Sequence, residues 1–139
     1  MKKNEKLLYQ TNKAPAALLK LFLVFNTLQA IFTLNSIDVS AVGIRVMEII
    51  LLNIVFSFVV FITSSEIKRY SLRWSWIGLV IGIIQCLRAF IIPVSEQAAR
   101  MRIIIPLEIA GLVLIVASVW SIVQSRKYLL AKKEHHAVS

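Results

Sequence analysis

Four long apolar runs, at 16–34, 46–62, 74–92 and 103–123, constrain this chain more than any other feature. Each approaches or exceeds the roughly 17–25 residues that a helix needs to cross ~30 Å of hydrocarbon. Composition agrees, since 58% of the 139 residues are hydrophobic, 17% are charged, and the mean hydropathy is +0.78. The expected fold is therefore an all-α membrane protein, with four transmembrane helices in an antiparallel bundle over 15–124. A polar basic arm, 1–14, precedes the bundle, and a basic tail, 125–139, follows it. Pro15 suits the first turn of a helix, where its missing N–H costs nothing. The tail from Ala131 onward reads as frayed.

The basic residues give the expected orientation. Lys2, Lys3, Lys6, Lys13 and Lys20 gather at the N-terminus, Lys68, Arg69 and Arg73 in the middle loop, and Arg126, Lys127, Lys132 and Lys133 near the C-terminus. An even number of spans puts all three clusters on one side, and an excess of Lys and Arg in short segments marks that side as cytoplasmic. The whole formal charge of +9 then faces the cytoplasm, where anionic lipid head groups attract it. Lipid contact and topology account for this charge, and nucleic acid is not the expected partner, since no aromatic-rich basic patch accompanies it. A bacterial inner membrane with both termini cytoplasmic is the expected location. The first span is read as retained, because no small-x-small cleavage pattern follows its apolar stretch.

Several kinds of chemistry lack their residues. Cys86 is the single cysteine, and His135 and His136, the two histidines, lie outside every apolar run. Dithiol redox chemistry, axial haem ligation and a catalytic zinc site have no ligand set in the spans. The expectation is a protein without cofactor, metal or catalytic residues, and not an enzyme. The first span also lacks the embedded glutamate of the small multidrug-resistance transporters. No CxxC pair matches the vitamin K epoxide reductase type.

The polar residues inside the spans remain. Asn26, Gln29 and Thr33 share a face of the first span, and Asn53 and Ser57 are four apart on the second. On the third, Ser75, Gly78, Gly82, Gln85 and Ala89 form a narrow stripe, in which Gly78-x-x-x-Gly82 is the pattern for close helix approach. That stripe is either an internal packing seam or a docking face for a partner helix. Arg45, Glu48, Arg88, Arg102 and Glu108 sit at similar depth near the outer boundary and are expected to form an ionic cluster. Intramembrane charge is a functional-site hypothesis by default, but long arginines near an interface also snorkel at little cost. Anchoring and ligand binding both stay open for this cluster.

Matched features in the two halves, such as Ile67-Lys68-Arg69-Tyr70 and Ser125-Arg126-Lys127-Tyr128, fit a tandem repeat of two helical hairpins. They equally fit the recurrence of basic-plus-tyrosine exits in any chain of this topology. The first functional expectation is a non-enzymatic accessory or structural subunit of a larger membrane complex, with transport of the ABC type as the context. The alternative is a small homodimeric transporter whose seams enclose a path for a polar or anionic solute.

Overall fold

The computed structural model describes residues 11–36, 43–91 and 97–138, without the side chains of 44–46 and 48. Within these residues the chain is helical: α1 is Lys13–Ser36, α2 is Ile44–Ile67, α3 is Leu72–Leu87 and α4 is Gln97–Val138. A 3-10 turn, Arg88–Ile91, prolongs α3. Four of these stretches are long and apolar enough to span a membrane, namely Lys13–Ser36, Ile49–Ile67, Leu72–Ile91 and Gln97–Val138. The protein is an integral membrane helical bundle. The arm at 1–10, the expected loop residues Asp38 and Glu96, and Pro93 lie outside the described residues.

α1, α2 and α4 are longer than the apolar runs that announced them, because polar residues at the ends still satisfy their backbone groups helically. The largest departure is α4, which spans 42 residues, or ~63 Å at 1.5 Å per residue. The tail expected to fray beyond Ala131 is instead helical to Val138. Pro106 falls inside this helix, in its third turn. There its ring removes one backbone N–H and leaves the Arg102 carbonyl without its usual helical partner.

The helices alternate in direction. At one end Asn12 N–H donates to the Lys68 carbonyl at 3.2 Å, Ser64 Oγ donates to the Ala16 carbonyl at 3.0 Å, and the Ser75 and Ser121 hydroxyls pair at 2.7 Å. These contacts place the start of α1, the α2–α3 connection and the later part of α4 on one level, called here the termini end. In the bundle α4 packs closely on both α1 and α3, α1 packs on α2, and α2 packs more loosely on α3.

The bundle is apolar on its outside as well as in its core, and its buried polar groups are interleaved with that core. Its outward surface carries Val24, Leu51, Ile54, Phe58, Phe61, Val80, Leu112 and Val116, all exposed, which suits lipid. Its interior holds Asn26, Gln29, Asn53, Ser64, Ser75, Gln85 and Ser121, all buried. Lipid chains give no hydrophobic drive for helix association, so packing and interhelical hydrogen bonds hold the bundle together. Several hydroxyls are satisfied within their own helix, as where Thr63 donates to the Val59 carbonyl at 2.7 Å and Thr33 to that of Gln29 at 2.8 Å.

Glycine sets the α3–α4 contact. A Cβ on Gly82 would stand 2.8 Å from Ile115 Cγ1, 3.1 Å from Ile115 N and 3.3 Å from the Gly111 carbonyl oxygen. A Cβ on Gly111 would stand 2.5 Å from Cys86 Sγ and 3.3 Å from the Gly82 carbonyl oxygen. The two backbones meet at this point. Ser75, Gly78, Gly82, Gln85 and Ala89 are all buried, and Ser75, Gly78 and Gly82 lie against α4. The stripe that could have served as a dock is therefore filled from within the chain.

At the termini end, Tyr70 closes the α2–α3 connection with φ 58, the left-handed region that costs an L side chain about 1–2 kcal/mol. Its ring is buried and stacks on Tyr128 of α4, with centroids 4.6 Å apart and planes 4° from parallel. Burial and stacking offset the backbone cost. Burial also pushes the Tyr70 phenol above the usual tyrosine range, with Tyr128 adding to the shift.

Candidate functional site

The buried polar groups form two tiers with an apolar layer between them. The first tier, at the termini end, contains Asn12, Ser64, Ser75 and Ser121, with Asn12 Nδ2 donating to Ser121 Oγ at 3.4 Å. The second lies about ten residues along each helix, or ~15 Å away. Leu19, Phe22, Val60, Ile81 and Leu114 pack into one cluster between them.

The second tier is a connected chain of side chains from three helices. Arg88 Nη1 donates to Gln85 Oε1 at 2.9 Å and to Asn53 Oδ1 at 3.2 Å. Gln85 Nε2 donates to Asn26 Oδ1 at 3.0 Å. Asn26 Nδ2 then donates to Ser57 Oγ at 2.9 Å and reaches the Asn53 carbonyl at 3.4 Å. The order follows from helix geometry. Gln85 and Arg88 are three apart on α3, Asn53 and Ser57 are four apart on α2, and such pairs share a face. Phe56, on the turn between Asn53 and Ser57, puts its ring centroid 5.5 Å from the Arg88 guanidinium carbon, within range of a cation–π contact.

Two buried atoms of this half have no hydrogen-bond partner among the described residues: Asn53 Nδ2, a donor, and Gln29 Oε1, an acceptor one turn beyond Asn26. Gln29 Nε2 donates to Thr33 Oγ1 at 2.9 Å. An amide left unsatisfied in a low-dielectric interior costs about 1–3 kcal/mol. Such an atom is where a water or ligand is best received.

No family model, curated protein or solved structure matches this chain. The site must be read from its own chemistry. Among the described residues there is no group of three or more His, Cys, Asp or Glu side chains that could hold a metal ion.

Of the expected ionic cluster, the members whose side chains are described, Arg88, Arg102 and Glu108, do not come together. Arg88 turns toward α2 and the amides of Asn53 and Gln85, and its contacts among the described residues are to neutral groups. Glu108, on α4, faces Cys86 on the other flank of α3. Arg102 is exposed. Arg45 and Glu48 lie in the first turns of α2, and their side chains are outside the described part of the structure. Equal depth brought these charges to one level, but depth says nothing about azimuth. The Gly82–Gly111 contact rotates α3 so that Arg88 and Cys86 point to different neighbours. Gln85, read from sequence as part of a docking stripe, is instead the hinge of the amide chain. Its depth, shared with Asn26 and Asn53 on counting from the helix ends, was the signal available.

Proposed function

We propose that this protein is a non-enzymatic membrane subunit that acts by associating with a larger membrane complex, with transport of the ABC type as the context. The reading is carried by the long α4. Roughly 20 residues suffice to span a bilayer, yet α4 continues for 42 residues, with Arg126, Lys127, Lys132 and Lys133 exposed on its later turns. Such a basic helical face is a natural handle for an acidic partner surface. The orientation that goes with this reading is N-in/C-in, in a bacterial inner membrane, with the basic residues of the termini end at the cytoplasmic face. Under this reading the tandem-hairpin relation is expressed in Tyr70 and Tyr128, which hold matched places after α2 and along α4 and stack on each other.

The rival reading, a homodimeric carrier of a polar or anionic solute, is favoured by the polar chain ending at Arg88. Against it stands the apolar layer of Leu19, Phe22, Val60, Ile81 and Leu114, which separates that chain from the serines at the termini end.

The test is purification of the full chain in mild detergent from its native membrane, with mass determination, beside a variant ending at Ser125. Larger membrane subunits recovered with the full chain and lost with the variant support the reading. Recovery of the full chain as a lone dimer overturns it in favour of the carrier. Reporter fusions at Ser139 and at Val94 test the orientation, and a reporter active outside at Ser139 would reverse it.

A further inference from the structure

We propose that Arg88 and Asn53 form an anion site for a phosphate group, whether on a lipid head group or free in solution, at the end of the bundle opposite the termini. The site does not depend on how the protein docks.

Three observations carry it. First, the guanidinium has five N–H donors in a planar fork. The contacts to Gln85 and Asn53 both leave from Nη1, so the edge formed by Nε and Nη2 has no partner among the described residues. That edge is the side of arginine that grips an oxyanion in bidentate fashion. Second, Asn53 Nδ2 is buried without an acceptor among the described residues, on the same amide whose oxygen already receives Arg88. The side chain is 6% exposed, so it is held in place and a second donor stands beside the cation. Third, the surrounding amides are arranged to favour positive charge. Gln85 and Asn53 both turn their oxygens to Arg88, and Gln85 is fixed in that sense by Asn26, which is itself fixed by Ser57.

An arginine held by neutral dipoles in a membrane interior carries a large desolvation cost, which an anion relieves. Depth selects the anion. Arg88 begins the 3-10 turn that ends at Ile91, so it lies about one turn below the end of the span, and the head-group level just beyond that end is where a bilayer places its phosphates. Phosphate also offers several acceptor oxygens, enough to meet the arginine edge and Asn53 Nδ2 together.

The experiment uses the full chain in dodecyl maltoside micelles, which carry no phosphate, and reads thermal unfolding. One arm titrates inorganic phosphate into these micelles, and the other adds phosphatidylglycerol to them in the absence of inorganic phosphate. The variants are Arg88→Gln and Asn53→Asp. The second keeps an oxygen for Arg88 and supplies a carboxylate from within the chain, so it should fold even if the first does not. The expected result is a rise in Tm of the parent chain in at least one arm, which names the source. Affinity should fall about ten- to a hundredfold in both variants, as loss of a charge-assisted bond implies. Asn53→Asp should also melt higher than the parent when neither phosphate nor phosphatidylglycerol is present. No shift in either arm, or shifts of equal size in the parent and Asn53→Asp, overturns the proposal.

Discussion

The contact of α3 with α4 gives the sharpest stability test, because two glycines on one helix face meet different kinds of atom. Alanine at Gly82 places a Cβ 2.8 Å from Ile115 Cγ1, and also 3.1 Å from a backbone nitrogen and 3.3 Å from a backbone oxygen of α4. Trimming a side chain cannot clear the last two, so the helices must separate. Alanine at Gly78 places a Cβ 2.6 Å from Ser118 Oγ, with the next atoms at an ordinary 3.4 Å and 3.7 Å. That hydroxyl is buried without a partner among the described residues and can swing about χ1 toward the carbonyl one turn back, a bond serines make in membrane helices. Both substitutions gain the same helix propensity, about 1 kcal/mol, which cancels in their difference. What remains is the overpacking at Gly82, about 1–3 kcal/mol. Steric-trap unfolding in bicelles should therefore find Gly82→Ala less stable than Gly78→Ala by that amount. Adding Ile115→Ala should recover only part of the loss, because the backbone contacts stay. Equal stabilities for the two alanine variants, or full recovery with Ile115→Ala, would refute the backbone contact.

Three further outcomes follow from other parts of the bundle. Tyr70→Gly should be more stable than Tyr70→Ala by about 1 kcal/mol, reversing the usual order, because φ 58 penalises any Cβ; equal thermal melting of the two in detergent would argue against a left-handed backbone there. The raised value of the Tyr70 phenol means that the folded state holds this proton more tightly than the unfolded one. Its contribution is complete below the ordinary tyrosine value of 10.0 and is lost as pH rises through the folded value, so alkaline melting should be steeper in the parent chain than in Tyr70→Phe. Finally, Asn26→Leu should cost more than Thr27→Val, since Asn26 joins three helices while Thr27 donates only to the Leu23 carbonyl of its own helix. Membrane interhelical bonds are worth about 0.6–2 kcal/mol each, and unfolding free energies in bicelles that rank the two variants the other way would remove Asn26 from the centre of the network.

The residues alone determined that this chain is a bundle of four membrane helices. Hydrocarbon leaves no partner for an unpaired backbone group, so long apolar runs have few structures open to them. Polar seams were equally legible, since Asn26 and Gln29, or Gly78 and Gly82, share a face at helical spacing wherever the helix is placed. Depth could be counted as well, and it put Arg45, Glu48, Arg88, Arg102 and Glu108 near the outer boundary, but it did not single out the amides of Asn26, Asn53 and Gln85 as partners of Arg88. The ends of α4 were not legible, because hydropathy marks only the part of a helix inside lipid and is silent on the polar turns that continue it. Nor could spacing decide which neighbour each seam would face. Rotation of a helix about its axis is set by where two backbones can approach, here at Gly82 and Gly111. That single contact used the glycine stripe internally, sent Cys86 toward Glu108, and turned Arg88 away from the carboxylate toward Asn53. The sequence fixes periods and depths along each helix, while azimuth is a property of helix pairs and belongs to the tertiary structure.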